Sequence, residues 1–273
     1  MDTLHLSPKE FIKGKVHIPA YRTLYLDRLL EDNEEIYSSR DRHFRDIVKG
    51  FKTIKDADFE EPESLSKTMR NYQKDGFRWL RTLEMWKFGG ILADDMGLGK
   101  TLQMIAVFLS AKLEGKTGTS LVVAPAALVY NWGEELGRFA PELNVSLITG
   151  SQTERKQKLQ NWQEADVMVT SYDLLKRDID QYEDKEFLYE VLDEAQYIKN
   201  HNTAAAKAVK VIRSQTRYAL TGTPIENRLS ELWSIFDYLM PGFLYGYGAF
   251  RREIETPIVK NKDETAMERL QKM

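Results

Sequence analysis

Short apolar runs alternate with segments of helical spacing along most of this chain. Ile91, Leu92 and Ala93 form the first run and predict a short buried strand. A strongly apolar segment at 102–109 then predicts a buried helix. A β-branched run at 119–124, closed by Pro125, predicts a second buried strand and its exit. Further on, the pattern gives a helix at 128–139, a strand at 145–148, a polar helix at 153–162 and a strand at 166–170. Ser171-Tyr172-Asp173 reads as a hydroxyl-bearing loop. A strand at 187–192, an Ala-rich helix at 203–212 and a strand at 217–220 follow. Leu229, Leu232, Trp233, Phe236 and Leu239 then form a core-facing helical stripe, ended by Pro241-Gly242. Strands alternating with helices predict an α/β fold with a mainly parallel sheet. Ligands of such sheets bind at the carboxyl ends of the strands.

The flanks are less regular. Met69, Tyr72, Gln73, Phe77, Leu80 and Leu83 give a helix from Ser66. Upstream, Pro19 followed by Tyr21, Leu24, Tyr25 and Leu29 fits a helix with proline near its start. Residues 40–51 place Phe44, Ile47, Val48 and Phe51 on one side of another helix. The acidic stretch 56–63, with Pro62, reads as a solvated linker. The tail is mixed and polar, with a last helix from Asp263. Three parts result: an accessory helical segment and linker at 1–65, the α/β domain at 66–240, and a short helical part at 241–273.

Composition narrows the chemistry. At 273 residues and 42% hydrophobic, the chain supports a large core. Its net charge of −3 confines any nucleic-acid-binding surface to a local face. The absence of cysteine excludes disulfides and thiolate metal sites, and four scattered histidines lack ligand spacing. The amino terminus lacks the basic start and apolar core of a signal peptide, and no apolar run approaches a bilayer's thickness. The expectation is a soluble, cytoplasmic protein without a membrane partner, nucleoid-associated if bacterial.

The apolar strand at 91–93 leads into Asp94-Asp-Met-Gly-Leu-Gly-Lys-Thr101 and then the helix. Strand, Gly-rich loop, Lys-Thr and helix form the phosphate-cradling arrangement of P-loop NTPases, with Asp94 where the first glycine usually stands. Backbone N–H groups of Asp95, Met96, Gly97, Leu98 and Gly99 would face the phosphates of ATP. Lys100 would reach the β/γ-phosphates, and the Thr101 hydroxyl would ligand Mg²⁺. Asp193 and Glu194 end the strand at 187–192. Asp193 suits Mg²⁺ held through water, and Glu194 suits polarising the attacking water. Thr221, Gly222 and Thr223, after the last strand, can sense the γ-phosphate or the carboxylate pair. Gln73 carries an amide able to read an adenine edge. Glu190, a carboxylate inside an apolar strand, leaves three readings open: an edge position, a basic partner, or an offset strand.

Met69-Arg-Asn-Tyr-Gln73, Ala93-Asp-Asp-Met-Gly-Leu-Gly-Lys-Thr101, Val122-Val-Ala-Pro125, Val169-Thr-Ser-Tyr172, Asp193-Glu-Ala-Gln196 and Leu220-Thr-Gly-Thr-Pro-Ile-Glu-Asn227 occur in one order. As a set they resemble the first-lobe motifs of the SNF2 (SWI/SNF-type) ATPases of helicase superfamily two, over residues 66–273. Asp-Glu-Ala-Gln, with Pro224-Ile-Glu-Asn-Arg-Leu-Ser-Glu-Leu-Trp233, resembles the microbial branch. Residues 1–65 are only loosely similar to the region preceding that motor. Asn71 replaces a usual proline, and Glu190 an apolar residue.

The resemblance implies a RecA-like lobe, ATP and Mg²⁺ as ligands, and an acidic residue at Asp94. It makes Gln73 an adenine reader and Gln196 a coupler between the carboxylates and the 221–223 loop. It places 125–132 and 170–172 along the track of a DNA backbone, with Asn131, Thr170 and Ser171 as phosphate contacts and Trp132 as packing. It also implies a second RecA-like lobe of the same full-length chain, whose arginines complete the ATP site. Residues 241–273 resemble the start of a helical inter-lobe insertion, so the expected unit is a first-lobe fragment of low activity. The leading expectation is an ATP hydrolase that translocates on double-stranded DNA and remodels protein–DNA complexes. The alternatives are a nucleotide-controlled module binding a complex such as RNA polymerase or a nucleoid protein, and a strand-separating helicase.

Overall fold

The computed structural model describes residues 39–52, 59–225 and 228–272, together with Tyr21, Thr23, Leu26, Asp27 and Leu30. Most of the helix expected near 19–29, part of the 56–63 linker, and Glu226 and Asn227 of the last motif lie outside the described residues. The chain divides into two compact units, Thr53–Leu239 and a second made of Met1–Lys52 with Met240–Met273.

The larger unit is built on a parallel sheet of six strands: β1 (Gly90–Leu92), β2 (Ser120–Ala124), β3 (Val145–Leu147), β4 (Val167–Ser171), β5 (Glu186–Asp193) and β6 (Arg213–Leu220). Their order across the sheet is β1-β6-β5-β2-β4-β3, and every pairing is parallel. Parallel neighbours need crossovers, and helices supply them. They are α2 (Asn71–Met85), leading into β1, then α3 (Lys100–Leu113), α4 (Val129–Phe139), α5 (Gln152–Gln160), α6 (Tyr172–Arg177), α7 (Ala204–Val211) and α8 (Leu229–Leu239); a further helix, α1 (Arg42–Lys52), belongs to the other unit. With helices on both faces, central strands lose their polar side, and all five residues of both β2 and β4 are buried. Helix α3 is buried continuously from Leu102 to Ala111, which explains its near-uniform apolar sequence.

Two sequence expectations shift. Ser171 to Asp173 is a strand–helix junction rather than a loop: Ser171 ends β4, and its hydroxyl accepts from the Leu174 N–H to cap α6. In α8 the buried face is Trp233, Ser234, Ile235, Tyr238 and Leu239, whereas Leu229, Leu232 and Phe236 are half-buried. The stripe is rotated because Ser234 donates to the Ile198 carbonyl and Tyr238 to the Glu190 carbonyl, both buried bonds. A pattern of apolar letters cannot register polar groups that are satisfied inside.

Glu190 is one of those interior groups. It lies in mid-sheet, fully buried, with Arg217 Nε 3.2 Å from its carboxylate and Ser214 donating to it. Of the three readings, the basic partner is the one observed. Burial outweighs Arg217 and pushes the Glu190 carboxyl up to about 8. An acid raised on folding holds a proton in the native state that it has lost in the unfolded chain. Its stabilising contribution is therefore present below the ordinary carboxylate range and is lost as pH rises toward 8, by roughly 1.4 kcal/mol per pH unit. Glu190→Gln is expected to flatten the fall in melting temperature between pH 5 and 8. An unchanged slope would show that Glu190 stays ionised.

The second unit is defined by fewer described residues. Tyr21 donates to the Pro241 carbonyl at 2.5 Å, and its ring meets that of Phe243 edge-on. Segments at opposite ends of the chain thus form one body. In α1, Ile47 and Val48 are buried, as their spacing predicts. Downstream come α9 (Tyr247–Phe250), a π turn at Arg251–Glu255, α10 (Thr256–Asn261) and α11 (Glu264–Lys272). Among the described residues, no helix is long and apolar enough to cross a membrane.

Candidate active site

Register aligns the ends of the strands. Leu92 of β1 pairs with Leu220 of β6, which pairs with Asp193 of β5. Leu192 pairs with Val123 of β2, which pairs with Thr170 of β4. The segments following these residues therefore emerge along one edge, which carries the P-loop, the carboxylate pair and the 221–223 loop.

The loop after β1 folds by left-handed turns at Gly97 (φ +81°) and Gly99 (φ +74°), which side chains rarely tolerate. Around Gly97 a Cβ would meet nothing within 4 Å, so this side of the loop is open. At Gly99 a Cβ would run into the Gln73 amide. Gln73 is 6% exposed; it donates to the Leu98 carbonyl and accepts from the Arg70 N–H, which caps α2. Tyr72 donates to the same Leu98 carbonyl at 3.0 Å. Gln73, the candidate adenine reader, thus braces the loop with its NH2 group and caps α2 with its oxygen.

Lys100 opens α3, and its ammonium donates to the carbonyls of Asp94 (2.7 Å) and Asp95 (3.2 Å). Asp94 accepts from the Gln103 amide at 2.8 Å. The carboxylate in the first-glycine position is therefore a strut from the loop to the first turn of α3. Gln103 was not singled out by its sequence context, because a glutamine within an apolar helix carries no motif of its own.

Asp193 ends β5, 8% exposed. The Trp132 indole N–H donates to its Oδ2 at 2.8 Å, and the Glu194 N–H donates to its Oδ1 at 3.0 Å. Tyr172, buried, donates to its carbonyl at 2.8 Å. Burial raises the Asp193 carboxyl above its ordinary value; the Trp132 donor opposes that and the neighbouring Glu194 charge adds to it. Glu194 sits in the left-handed region at φ 49°, ψ 56°. A non-glycine residue there costs about 1–2 kcal/mol, and such strain clusters at functional sites.

From Glu194 a chain of hydrogen bonds leads to the next motif. The Gln196 amide donates to Glu194 Oε2 at 2.7 Å, and its oxygen accepts from the Thr221 hydroxyl at 2.9 Å. The Thr223 N–H donates to the Thr221 oxygen at 3.1 Å. Gly222 lies against the P-loop: a Cβ on it would stand 3.5 Å from Met96 Cγ and 3.8 Å from the Asp94 carbonyl. Carboxylates, Gln196, the 221–223 loop and the P-loop are thus one connected assembly.

The candidate DNA contacts separate. Asn131 is exposed on α4 and donates to Glu135. Thr170 is fully buried and Ser171 is 3% exposed, their hydroxyls turned to the Ile148 carbonyl and to the cap of α6. Both hydroxyls are engaged inside the fold, that of Thr170 on the segment after β3 and that of Ser171 at the β4–α6 junction. Trp132, expected only to pack, does pack at 1% exposure, but it also donates to the Asp193 carboxylate. A buried indole N–H requires an acceptor, and that requirement was the available signal.

Comparison with known proteins now decides the family. The SNF2-related domain matches residues 72–273, and the bacterial SNF2 helicase-associated family matches residues 1–62. The chain belongs to the SNF2-related family. It carries the RecA-like, amino-terminal lobe of that family's helicase-superfamily ATPases. A SWI2/SNF2 ATPase core of Sulfolobus solfataricus, solved in complex with double-stranded DNA, is 46% identical with a TM-score of 0.68, over 74% of this chain and 42% of that one. The same organism's core domain is 44% identical with a TM-score of 0.69, over 78% and 43%. The Saccharomyces cerevisiae TATA-binding protein-associated factor MOT1 is 38% identical over 242 residues, 84% of this chain and 13% of MOT1. The Bacillus subtilis protein YwqA is 42% identical over 212 residues, 77% of this chain and 23% of YwqA. The SNF2-related chain thus spans less than half the length of these relatives.

The donor set fits ATP with Mg²⁺. An open glycine loop, an ammonium at its centre, a helix start and a buried carboxylate fixed by two N–H donors meet at one edge.

Proposed function

We propose that this chain binds ATP with Mg²⁺ and serves as the nucleotide-binding lobe of a motor that translocates on double-stranded DNA and remodels protein–DNA complexes. The observation carrying the reading is the hydrogen-bond path from Glu194 through Gln196 to Thr221 and Thr223. A water-polarising carboxylate tied to the 221–223 loop at the sheet's edge is a device for converting nucleotide state into movement, beyond simple nucleotide holding. The DNA part is supported by the 46% identity to a core solved on duplex DNA.

In this reading Lys100 leaves the Asp94 and Asp95 carbonyls for the β/γ-phosphates. The P-loop N–H groups and the start of α3 hold the phosphate oxygens. Thr101 and Asp193 would hold Mg²⁺, Asp193 through water, and the ion supplies positive charge at the γ-phosphate. Glu194 orients the attacking water. Gln73, through Leu98 and Gly99, keeps the loop in shape beside the adenine. Asn131 and backbone N–H groups of the strand exits contact the DNA backbone, which positions without reading sequence. Arginines of a second lobe complete charge neutralisation. The complex displaced from DNA, with RNA polymerase and nucleoid proteins among the candidates, is proposed from the resemblance alone.

ATP turnover with and without duplex DNA tests this. The chain of 273 residues is expected to bind ATP weakly and to hydrolyse it very slowly, while the two-lobe protein is stimulated by duplex. Robust DNA-stimulated turnover by the chain alone would sink the two-lobe requirement. Indifference of the two-lobe protein to duplex would favour a nucleotide-controlled binding module, and strand displacement would favour a helicase.

A further inference from the structure

Two segments at the strand-exit edge converge on a single residue. Trp132 lies on α4 beside Tyr130, 62% exposed, and the exposed Asn131. Its own ring is buried, and its N–H reaches Asp193 Oδ2 at 2.8 Å. Tyr172 opens α6 after β4, and its hydroxyl reaches the Asp193 carbonyl at 2.8 Å. The Tyr172 ring stacks on that of Tyr197, 5.0 Å between centroids and 5° from parallel, and Tyr197 is 53% exposed. Each buried donor therefore has an exposed aromatic neighbour, one beside it on the helix and one stacked on its ring. With the Glu194 N–H on Oδ1, both carboxylate oxygens and the carbonyl of Asp193 have donors, and two of the three donors come from these segments.

We propose that Trp132 is a positioning residue for the metal-holding carboxylate, and that duplex DNA bearing on the outward face of α4 sets the orientation of Asp193 through the indole N–H. The DNA half rests on the motor reading; the positioning half does not. A carboxylate of fixed rotamer presents its remaining lone pairs in one direction, and an outer donor to a ligating carboxylate governs metal affinity by roughly tenfold to a hundredfold. Tyr172 fixes the backbone of the same residue, so the two clamps hold Asp193 at both ends of its side chain.

Trp132→Phe keeps an aromatic ring and removes the donor. Binding of a fluorescent, non-hydrolysable ATP analogue to this chain is measured with Mg²⁺ and with chelator. The expected result is an affinity gain from Mg²⁺ at least about tenfold smaller in the variant, with equal affinity in chelator. An undiminished Mg²⁺ gain in a folded variant would overturn the proposal. Thermal melting establishes folding, since the smaller ring leaves space in the core. A second measurement needs no change at Trp132 itself. The indole N–H resonance of Trp132 is expected to move on adding Mg²⁺ with the analogue, and to move upfield in Asp193→Asn. A resonance indifferent to both is the contrary result. In the two-lobe protein, Trp132→Phe is expected to lower duplex stimulation together with the Mg²⁺ response. If the native two-lobe protein shows no duplex stimulation, the motor reading fails, while the Mg²⁺ and resonance measurements still decide the positioning role.

Discussion

Glu194→Gln is expected to leave ATP bound and to stop its hydrolysis. The substitution keeps the shape of the side chain, and the amide oxygen still accepts from Gln196, whose link to Thr221 is thereby preserved. What disappears is the carboxylate that orients and polarises water, a contribution of roughly a hundredfold to ten-thousandfold. Turnover in the two-lobe protein should fall by that range, with nucleotide affinity unchanged. Wild-type turnover would remove Glu194 from this role. A companion variant separates chemistry from backbone. Glycine occupies the φ 49° conformation without the cost borne by glutamate. Glu194→Gly should therefore melt no lower than the native chain while being just as inactive. A large drop in its melting temperature would mean that the Gln196 bond stabilises the fold by more than the turn strains it.

Lys100→Ala is the second large effect. Its ammonium rests on two loop carbonyls, so removing it deprives the fold of two partly solvated hydrogen bonds and little packing. The melting temperature should change little. The loss to chemistry is larger, because no other ammonium in the P-loop can meet the charge that develops on the transferred phosphoryl group; about a hundredfold to a thousandfold is expected in turnover. Lys100→Arg should fail to rescue, since a planar fork does not replace a compact ammonium inside a tight loop. ATP affinity, turnover and melting measured on the same preparation distinguish a lost charge from a lost fold. Retained turnover in Lys100→Ala would place the phosphate elsewhere.

Much of the site was legible because its chemistry is local. Gly97, Gly99 and Lys100 act within one turn of chain, and left-handed backbone is written into the glycines themselves. Asp193 and Glu194 stand at the end of an apolar run, where a strand must deliver them to an edge. Gln196 entered through the resemblance, and it bonds to Glu194 on one side and Thr221 on the other. Thr170 and Ser171 show the limit. Their hydroxyls are identical in sequence to surface hydroxyls, and only the depth of β4 and the cap of α6 turn them inward. Trp132 shows the converse: an aromatic letter in a helix reads as packing, while its N–H finds Asp193, 61 positions away in the chain.

By itself, then, the sequence determined the alternation of strand and helix, the parallel α/β class, the glycine loop after β1 and the position of the carboxylate pair. Each of these depends on neighbours within a few residues, where periodicity and backbone freedom act. The tertiary structure decided the order of the six strands, the partner of Glu190, the strut from Asp94 to Gln103 and the clamps on Asp193. All of these satisfy buried polar groups with partners brought near by folding. A buried donor or acceptor must be paired, but its own residue does not say with which distant one.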